Sequence, residues 1–373
     1  MGSRGTAAPA AEPSRRRPDL AASFRRLAEQ HAAGGSPLHA RTALALAASA
    51  EALRALQILP ARQRQPALVL AVLHDLALAG RAPALAAAYG DDDAEAAAVA
   101  AVATMLELTG AVAATAARRR LRSDGTGPCA VLHPAIARAA RLAGADAVGL
   151  VALGGVAGLT LQVDRVAVTY GDGPPVGDPR SPVRLSCTVV GDRPVPRRPV
   201  PEVVARVLLD PEPLDLTDPE DARWLRACGS PDAREEAARL EAEVALARTA
   251  PPQLVGGDVL ELLPQALARV PAGALPVVTT SWSLSRLPPA RRPELLRRLD
   301  EAAGGRTVAW VSVEGVGVAP SVPTLGDRHA SGHSLVGVAV HDRTGRGGRE
   351  VSLVETVARC WSRGRLLAWL ADA

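Results

Sequence analysis

Three glycines gathered behind an apolar run are the first residues of this 373-residue chain that could do chemistry. Gly154, Gly155 and Gly158 follow Ala147 to Leu153. Glycine lets a backbone approach a ligand closely, and a turn from a strand into a helix aims amide N–H groups at an anion or a nucleoside. The pattern falls short of GxGxxG, because Leu153 stands where the first glycine belongs. Two acids extend it. Asp210 ends the apolar run Val203 to Leu209, and Asp258 follows Gln253 to Val255 and Gly256-Gly257. In an open α/β sheet the ligand lies beyond the carboxyl ends of the strands. There Asp210 could accept hydrogen bonds from ribose hydroxyls, and Asp258 could reach an adenine amino group. Gly154, Gly155, Gly158, Asp210 and Asp258 together outline an adenosine-type pocket for a small-molecule ligand. The plainer alternative is a tight turn and two helix caps, and Asp258 before Val259 does read as an N-cap.

A second set lies further on, where Glu314 ends an apolar run and a Gly/Pro-rich loop carries Asp327, Arg328, His329 and His333. Such a loop at the ligand edge of a sheet reads as a lid. Glu314 could act as a general base. Glu314, His329 and His333 are residue types that bind zinc, but their spacing falls on a loop rather than a helix, and no metal is expected. No catalytic residue is assigned. There is no GxSxG nucleophile motif, no Walker loop and no zinc-finger spacing.

Positioning these residues takes two kinds of structure. Residues 1–17 are small, basic and Pro-containing, and read as a disordered tail. From 18 to 145 the apolar spacing is helical. Ser36-Pro37 reads as an N-cap and first-turn proline opening a helix that ends by Pro60, and Ala94 to Ala117 reads as one Ala-rich helix. Arg118, Arg119, Arg120 and Arg122 close that helix and complement its dipole, with phosphate binding as the competing use. From 146 to 373 strands alternate with helices, which predicts α/β architecture with a mostly parallel sheet and flanking helices. Within it, 165–190 reads as an inserted β-hairpin. Ser334 to His341 and Val351 to Ala358, joined by an Arg/Gly turn, read as an antiparallel edge pair.

Composition narrows the class. All 43 basic residues are arginine, hydrophobic residues make up 48% and the net charge is +4, so the chain is globular and only mildly basic. Basic residues are not interleaved with aromatics, which disfavours nucleic acid as a partner. Cys129, Cys187, Cys228 and Cys360 form no CxxC pair and are expected as reduced thiols in a cytoplasmic protein. No membrane span is expected, since Glu95 and Glu107 interrupt the Ala-rich stretch.

A family resemblance spans about Phe24 to Leu370. It rests on Gly35-Ser36-Pro37-Leu38, on Ala71-Val72-Leu73-His74-Asp75 with Leu78 and Gly80, and on Ala157-Gly158-Leu159 with Asp164-Arg165. Ser181-Pro182-Val183, Asp210 with Pro213-Leu214-Asp215, Arg223-Trp224-Leu225 and Gly257-Asp258 add to it. These residues resemble the domain of unknown function 2332 family of bacterial proteins. The resemblance implies a Rossmann-like, methyltransferase-type sheet and S-adenosylmethionine as cofactor. Where the family carries an acid, Gly, a small residue and Gly, this chain has Ala152, Gly154, Val156 and Gly158. Ala152 removes a carboxylate, and Val156 puts a branched side chain where close approach is wanted, so both weaken that cofactor. Ser123-Asp124-Gly125 replaces the family's Thr-Asn-Glu, and Thr280 replaces a histidine. The implied function is an S-adenosylmethionine-dependent methyltransferase-like enzyme with an unknown acceptor. The alternatives are a catalytically inactive relative that binds an adenosine-like ligand or a protein partner and, third, an RNA-associated protein.

Overall fold

In a computed structural model, which describes residues 19–342 and 351–372, the chain forms two compact units. Among the described residues, one holds those up to Leu121 together with Ser230–Ala233, and the other holds Arg122–Gly229 and those from Arg234 onward. The tail expected at 1–17 and the Arg/Gly turn expected before Val351 lie outside the described residues.

The first unit is helical: α1 (Leu20–Ala33), α2 (Pro37–Ala48), α3 (Ala50–Gln57), α4 (Pro66–Leu78), α5 (Pro83–Gly90), α6 (Ala94–Glu107) and α7 (Thr109–Arg118). Local chemistry sets their ends. Prolines open α2, α4 and α5, where a missing N–H is harmless. Asp19 and Asp93 cap α1 and α6 by accepting amides of the first turn. The helix expected from Ser36 to Pro60 is broken at Ser49, whose side chain accepts the Ala52 amide and starts α3. The Ala-rich stretch is likewise two helices, α6 and α7, meeting at 86°. No single described helix is long and apolar enough to cross a membrane. Ser36 is not the cap of α2 that the sequence suggests. Asp232, from the distant segment of this unit, accepts the Leu38 amide at 3.0 Å and the Ser36 hydroxyl at 2.7 Å. α4 is buried along nearly its whole length and forms the centre of the unit.

The second unit is built on one 11-stranded sheet. Its elements are α8 (Cys129–Ala143), β1 (Ala147–Leu153), β2 (Ala167–Tyr170), β3 (Val176–Gly177), β4 (Arg184–Val189), β5 (Glu202–Asp210), α9 (Pro219–Ala227), α10 (Arg234–Arg248) and β6 (Gln253–Gly256). They continue with α11 (Leu263–Leu267), β7 (Leu275–Ser281), α12 (Arg292–Ala303), β8 (Val308–Gly315), β9 (Ser334–Asp342), β10 (Val351–Trp361) and β11 (Leu366–Trp369). The strands run β3-β2-β4-β11-β10-β9-β8-β7-β1-β5-β6. β6, β5, β1, β7 and β8 are parallel neighbours. From β1 the chain moves outward to β5 and β6, then returns to place β7 and β8 on the other side, so β1 is the topological switch point.

Alternation along the strands divides the core between two faces. Val148, Leu150 and Ala152 of β1 join Leu132, Ala135, Ile136 and Ala139 of α8 on one face. Val151 and Leu153 face the other way, with Leu263 and Leu267 of α11 and Leu295 and Leu299 of α12. α8 therefore belongs to the sheet, and the helical unit stops at Leu121 rather than continuing to 145. Within α8, His133 is fully buried with neither ring nitrogen partnered, and burial pulls its pKa down to about 4.

Three expectations for this unit are corrected. Residues 165–190 are not a hairpin: β2 and β4 pair in parallel, and the short β3 pairs antiparallel with β2. The bond between the Ala167 amide and the Val183 carbonyl starts that parallel ladder. β9 and β10 are antiparallel as expected but are not the edge, because β11 pairs with β10 and joins β4 in parallel. The glycine turn opens no helix. Leu159–Gln162 forms one turn of 3-10 geometry.

Candidate functional site

Strand register brings the candidate residues to one edge of the sheet. Leu153 of β1 lies opposite Leu209 and Thr280, Asp210 opposite Gly256, and Ser281 opposite Val313. β9 begins at this edge, with Ser334 opposite Gly315. The loops after β1, β5, β6, β7 and β8 thus share the carboxyl edge, where the switch point places a ligand crevice.

The glycine loop is held from inside. Gly154 (φ +81°) and Gly158 (φ +69°) occupy the left-handed region that disfavours other residues. A Cβ on Gly154 would stand 2.7 Å from Ser283 Cβ, and one on Gly158 would stand 3.1 Å from Leu161 and 3.3 Å from Pro252. Gly155 is the relaxed member, with only ordinary contacts around an added Cβ. The amide of Gly154 donates to the Leu209 carbonyl at 2.7 Å, and that of Gly158 donates to Gly155 at 2.5 Å. The Ala157 amide donates to Asp124 Oδ2 at 2.7 Å, and the Leu159 amide also bonds this carboxylate.

Sequence reasoning gave Asp124 no role, and its setting explains why. Nothing in Ser123-Asp124-Gly125 marks it beyond its place opposite the family's Thr-Asn-Glu. The residue as a whole is half-buried, while its carboxyl group is enclosed. Burial pushes its pKa up to about 6 against the pull of the Ala157, Gly125 and Leu159 amides. Glu243 of α10 stands near it and accepts the Thr126 hydroxyl at 2.6 Å. Burial raises Glu243 as well.

Asp210 is 1% exposed, and its Oδ1 accepts the Glu212 amide at 2.9 Å. Its Oδ2 is buried without a hydrogen-bond partner, an unusual state for a carboxylate oxygen. Asp258 is arranged differently. Its Oδ1 caps the following turn through the Leu260 and Glu261 amides, and Arg291 closes on both oxygens at 2.7 and 3.1 Å. That guanidinium holds the Asp258 pKa down to about 2. Asp258 is thus committed to a structural ion pair, and the adenine contact expected of it would require breaking that pair.

Glu314 lies 1% exposed at the end of β8. Its Oε1 accepts the amides of Ser283 and Leu284, each at 3.0 Å, while Oε2 has no partner. Burial pushes its pKa up to about 7, the first cause outweighing the two amides. The hydroxyls of Ser281, Ser283 and Ser312 are buried nearby in sequence register and also lack partners. Between the first two, Trp282 adopts φ +51°, a strained backbone that often accompanies functional loops. Thr280 accepts the Trp310 indole N–H at 3.1 Å. His333 does not join Glu314. It bonds Asp327 at 2.9 Å, Arg359 grips the same carboxylate at 2.7 Å, and the His333 ring packs 5.4 Å from Trp361. His329 is exposed, and among the described residues no three His, Cys, Asp or Glu side chains converge as a metal site.

Arg118 closes α7 as expected. Arg122 instead pairs with Glu212 at 2.6 Å, and Arg119 and Arg120 are engaged as well, so this run is not an open comb of cations.

The fold is that of a mixed α/β protein with a large, mostly parallel sheet, and polar residues gather at its carboxyl edge. The chain belongs to the family described as an uncharacterized protein conserved in bacteria (DUF2332), whose model matches residues 21–369. No curated protein matches the chain, and no solved structure matches it. Several motif residues of the resemblance fall at structural joints. Asp164 takes a two-oxygen contact from Arg206, Arg165 ties the 3-10 turn to Leu246 and Thr249 of α10 and its end, and Trp224 is buried in α9.

Proposed function

We propose that the sheet unit binds an adenosine-type ligand at its carboxyl edge, as a methyltransferase-like protein whose glycine loop has become an internal support. The observation that carries this reading is Asp210, a buried carboxylate at the end of β5 with Oδ1 bonded and Oδ2 unpartnered. A ribose hydroxyl supplies the donor that such an oxygen lacks. S-adenosylmethionine as a whole does not fit this loop. The glycines close onto Ser283, Leu161 and Pro252, and Asp124 holds the Ala157 amide. Ala152 brings no carboxylate to the loop. The adenosyl part alone meets a matching group.

Isothermal titration of the full chain with adenosine, S-adenosylhomocysteine and S-adenosylmethionine tests the reading. Binding of adenosine, weakened at least about tenfold by Asp210→Asn, is the expected result. A folded protein that binds none of the three, or an Asp210→Asn variant that binds as well as the parent, would overturn it.

The second reading is an enzyme that transfers a methyl group to an unknown acceptor, favoured by Glu314, whose pKa of about 7 suits proton transfer near neutrality. Radiolabelled methyl transfer to cell extract, lost in Glu314→Gln, would move the conclusion to that enzyme.

A further inference from the structure

We infer that Asp124 is the residue that sets ligand class at this edge: it occupies the Ala157 and Leu159 amides of the glycine loop with the protein's own negative charge, so the site takes an uncharged or cationic nucleoside and rejects a phosphorylated one. The inference rests on the adenosine-type reading for the identity of the ligand, but not for the behaviour of the loop.

A glycine loop binds phosphate through several free N–H groups that converge on it, commonly helped by the N-terminus of a following helix. Here the helix is missing, since only one 3-10 turn follows. The amides of Gly154 and Gly158 have carbonyl acceptors within the protein. Those of Ala157 and Leu159 have Asp124. A phosphate arriving at the loop would find these four donors taken, with only the Gly155 and Val156 amides outside the set, and would meet an enclosed carboxylate.

Its neighbours sharpen the effect. Glu243 is close enough to Asp124 to interact with it electrostatically, and Asp210 ends the next strand at the same edge. Arg239 does reach Glu243, but only at 3.8 Å and from an exposed position. Arg291 is already paired with Asp258. Asp124, Glu243 and Asp210 therefore put carboxylates at or beside the loop, where a nucleotide site gathers cations. Like charges at short range inside protein repel far more strongly than in water, so selectivity follows from charge as well as from the occupied donors.

Asp124 also has a clear reason to stay where it is. Its Oδ1 bonds the Gly125 amide at 2.8 Å while Oδ2 reaches the loop. It thus joins the segment before α8 to the turn after β1.

The test compares adenosine, adenosine 5′-monophosphate and inorganic phosphate on the full chain at pH 7.5, by titration and thermal shift. In the parent protein, adenosine should bind at least about tenfold more tightly than the monophosphate, and millimolar phosphate should leave the melting temperature unchanged. In Asp124→Ala, phosphate should raise the melting temperature, and the preference should shift at least about tenfold toward the monophosphate. Equal parental affinity for adenosine and its monophosphate would overturn the inference, and so would a folded Asp124→Ala with no response to phosphate. If Asp124→Ala does not fold, Asp124→Asn serves, because it keeps an acceptor for Ala157 and loses the charge. Its preference should shift about threefold toward the monophosphate and its phosphate response should appear, and no change in both would overturn the inference. Should phosphate stabilise Asp124→Ala while no nucleoside binds either protein, the adenosine reading fails and the assignment of Asp124 stands.

Discussion

Gly154 at the end of β1 and Ser283 after β7 meet across the switch point so closely that a methyl group on the glycine would stand 2.7 Å from the serine Cβ. With φ +81° at Gly154, this contact makes the position intolerant for two separate reasons. Gly154→Ala should cost about 2–4 kcal/mol, part from the left-handed backbone and part from overpacking. Urea unfolding of Gly154→Ala with and without Ser283→Gly separates the two, since only the second part should be relieved. Gly155→Ala is the control and should stay within about 0.5 kcal/mol of the parent. A large loss there would mean that the loop packs differently.

Glu314 makes stability depend on pH with a sign opposite to that of most carboxylates. Its folded pKa of about 7 exceeds its ordinary value of 4.5, so the folded state binds the proton more tightly between those values. Stability from this group therefore falls as pH rises from about 4.5 to 7. Glu314→Gln keeps an acceptor for Ser283 and Leu284 and removes the titration. Its stability relative to the parent should improve by up to about 3 kcal/mol between pH 4.5 and pH 8. Parallel pH profiles for the two proteins would refute the claim.

His133 acts in the reverse direction. Burial lowers it from 6.5 to about 4, so the unfolded chain binds the proton first and stability is lost as pH falls through that window. His133→Leu should gain about 1 kcal/mol at pH 8, where an unpartnered imidazole is replaced by an apolar side chain. The gain should grow by about 2–3 kcal/mol at pH 4.5. Denaturation curves at both values measure it, and a loss of stability at pH 8 would point to a partner for the ring.

Asp258 is the conventional case. Arg291 holds it down to about 2, so its contribution is full above about 4 and disappears as pH falls toward 2. Asp258→Ala should cost about 1–2 kcal/mol, mostly through the lost cap at Leu260 and Glu261. Arg291→Gln should cost less than Asp258→Ala, because that side chain is over one-third exposed and salt screens the pair. If Arg291→Gln proved the costlier change, the ion pair would outweigh the cap.

Asp232→Ala should cost about 1–2 kcal/mol by uncapping α2, with the loss confined to helix signals in circular dichroism melts. Ser36→Ala should cost less, since the Leu38 amide bonds Asp232 rather than Ser36.

The strands of the sheet were legible because their apolar runs are long and bounded by Gly, Pro and Asp. β1, β5, β6 and β9 fall within a residue of expectation. Pairing was less legible. Two alternating segments of similar length suggest a hairpin, but the short β3 turns back along β2, and the chain then crosses to the other side of β2 and runs parallel to it as β4. After Gly158 the chain makes one 3-10 turn, Leu159–Gln162, where the glycine turn suggests a longer helix, and β2 begins soon after at Ala167. Asp210 and Asp258 look equivalent in sequence, each an acid behind a strand. Arg291, more than thirty residues away, is what separates them. Contacts over such distances leave no trace in local spacing, which is why the site could be outlined but not ranked.

The helical unit has a consequence for biosynthesis. Its last piece, Ser230–Ala233, lies far downstream of Leu121. At ordinary elongation rates the ribosome takes on the order of ten seconds to deliver Asp232 after α7 has emerged. During that interval the start of α2 lacks its carboxylate partner, so the nascent helices must wait for a stretch of chain that contains β1 and β5 before their own unit is complete.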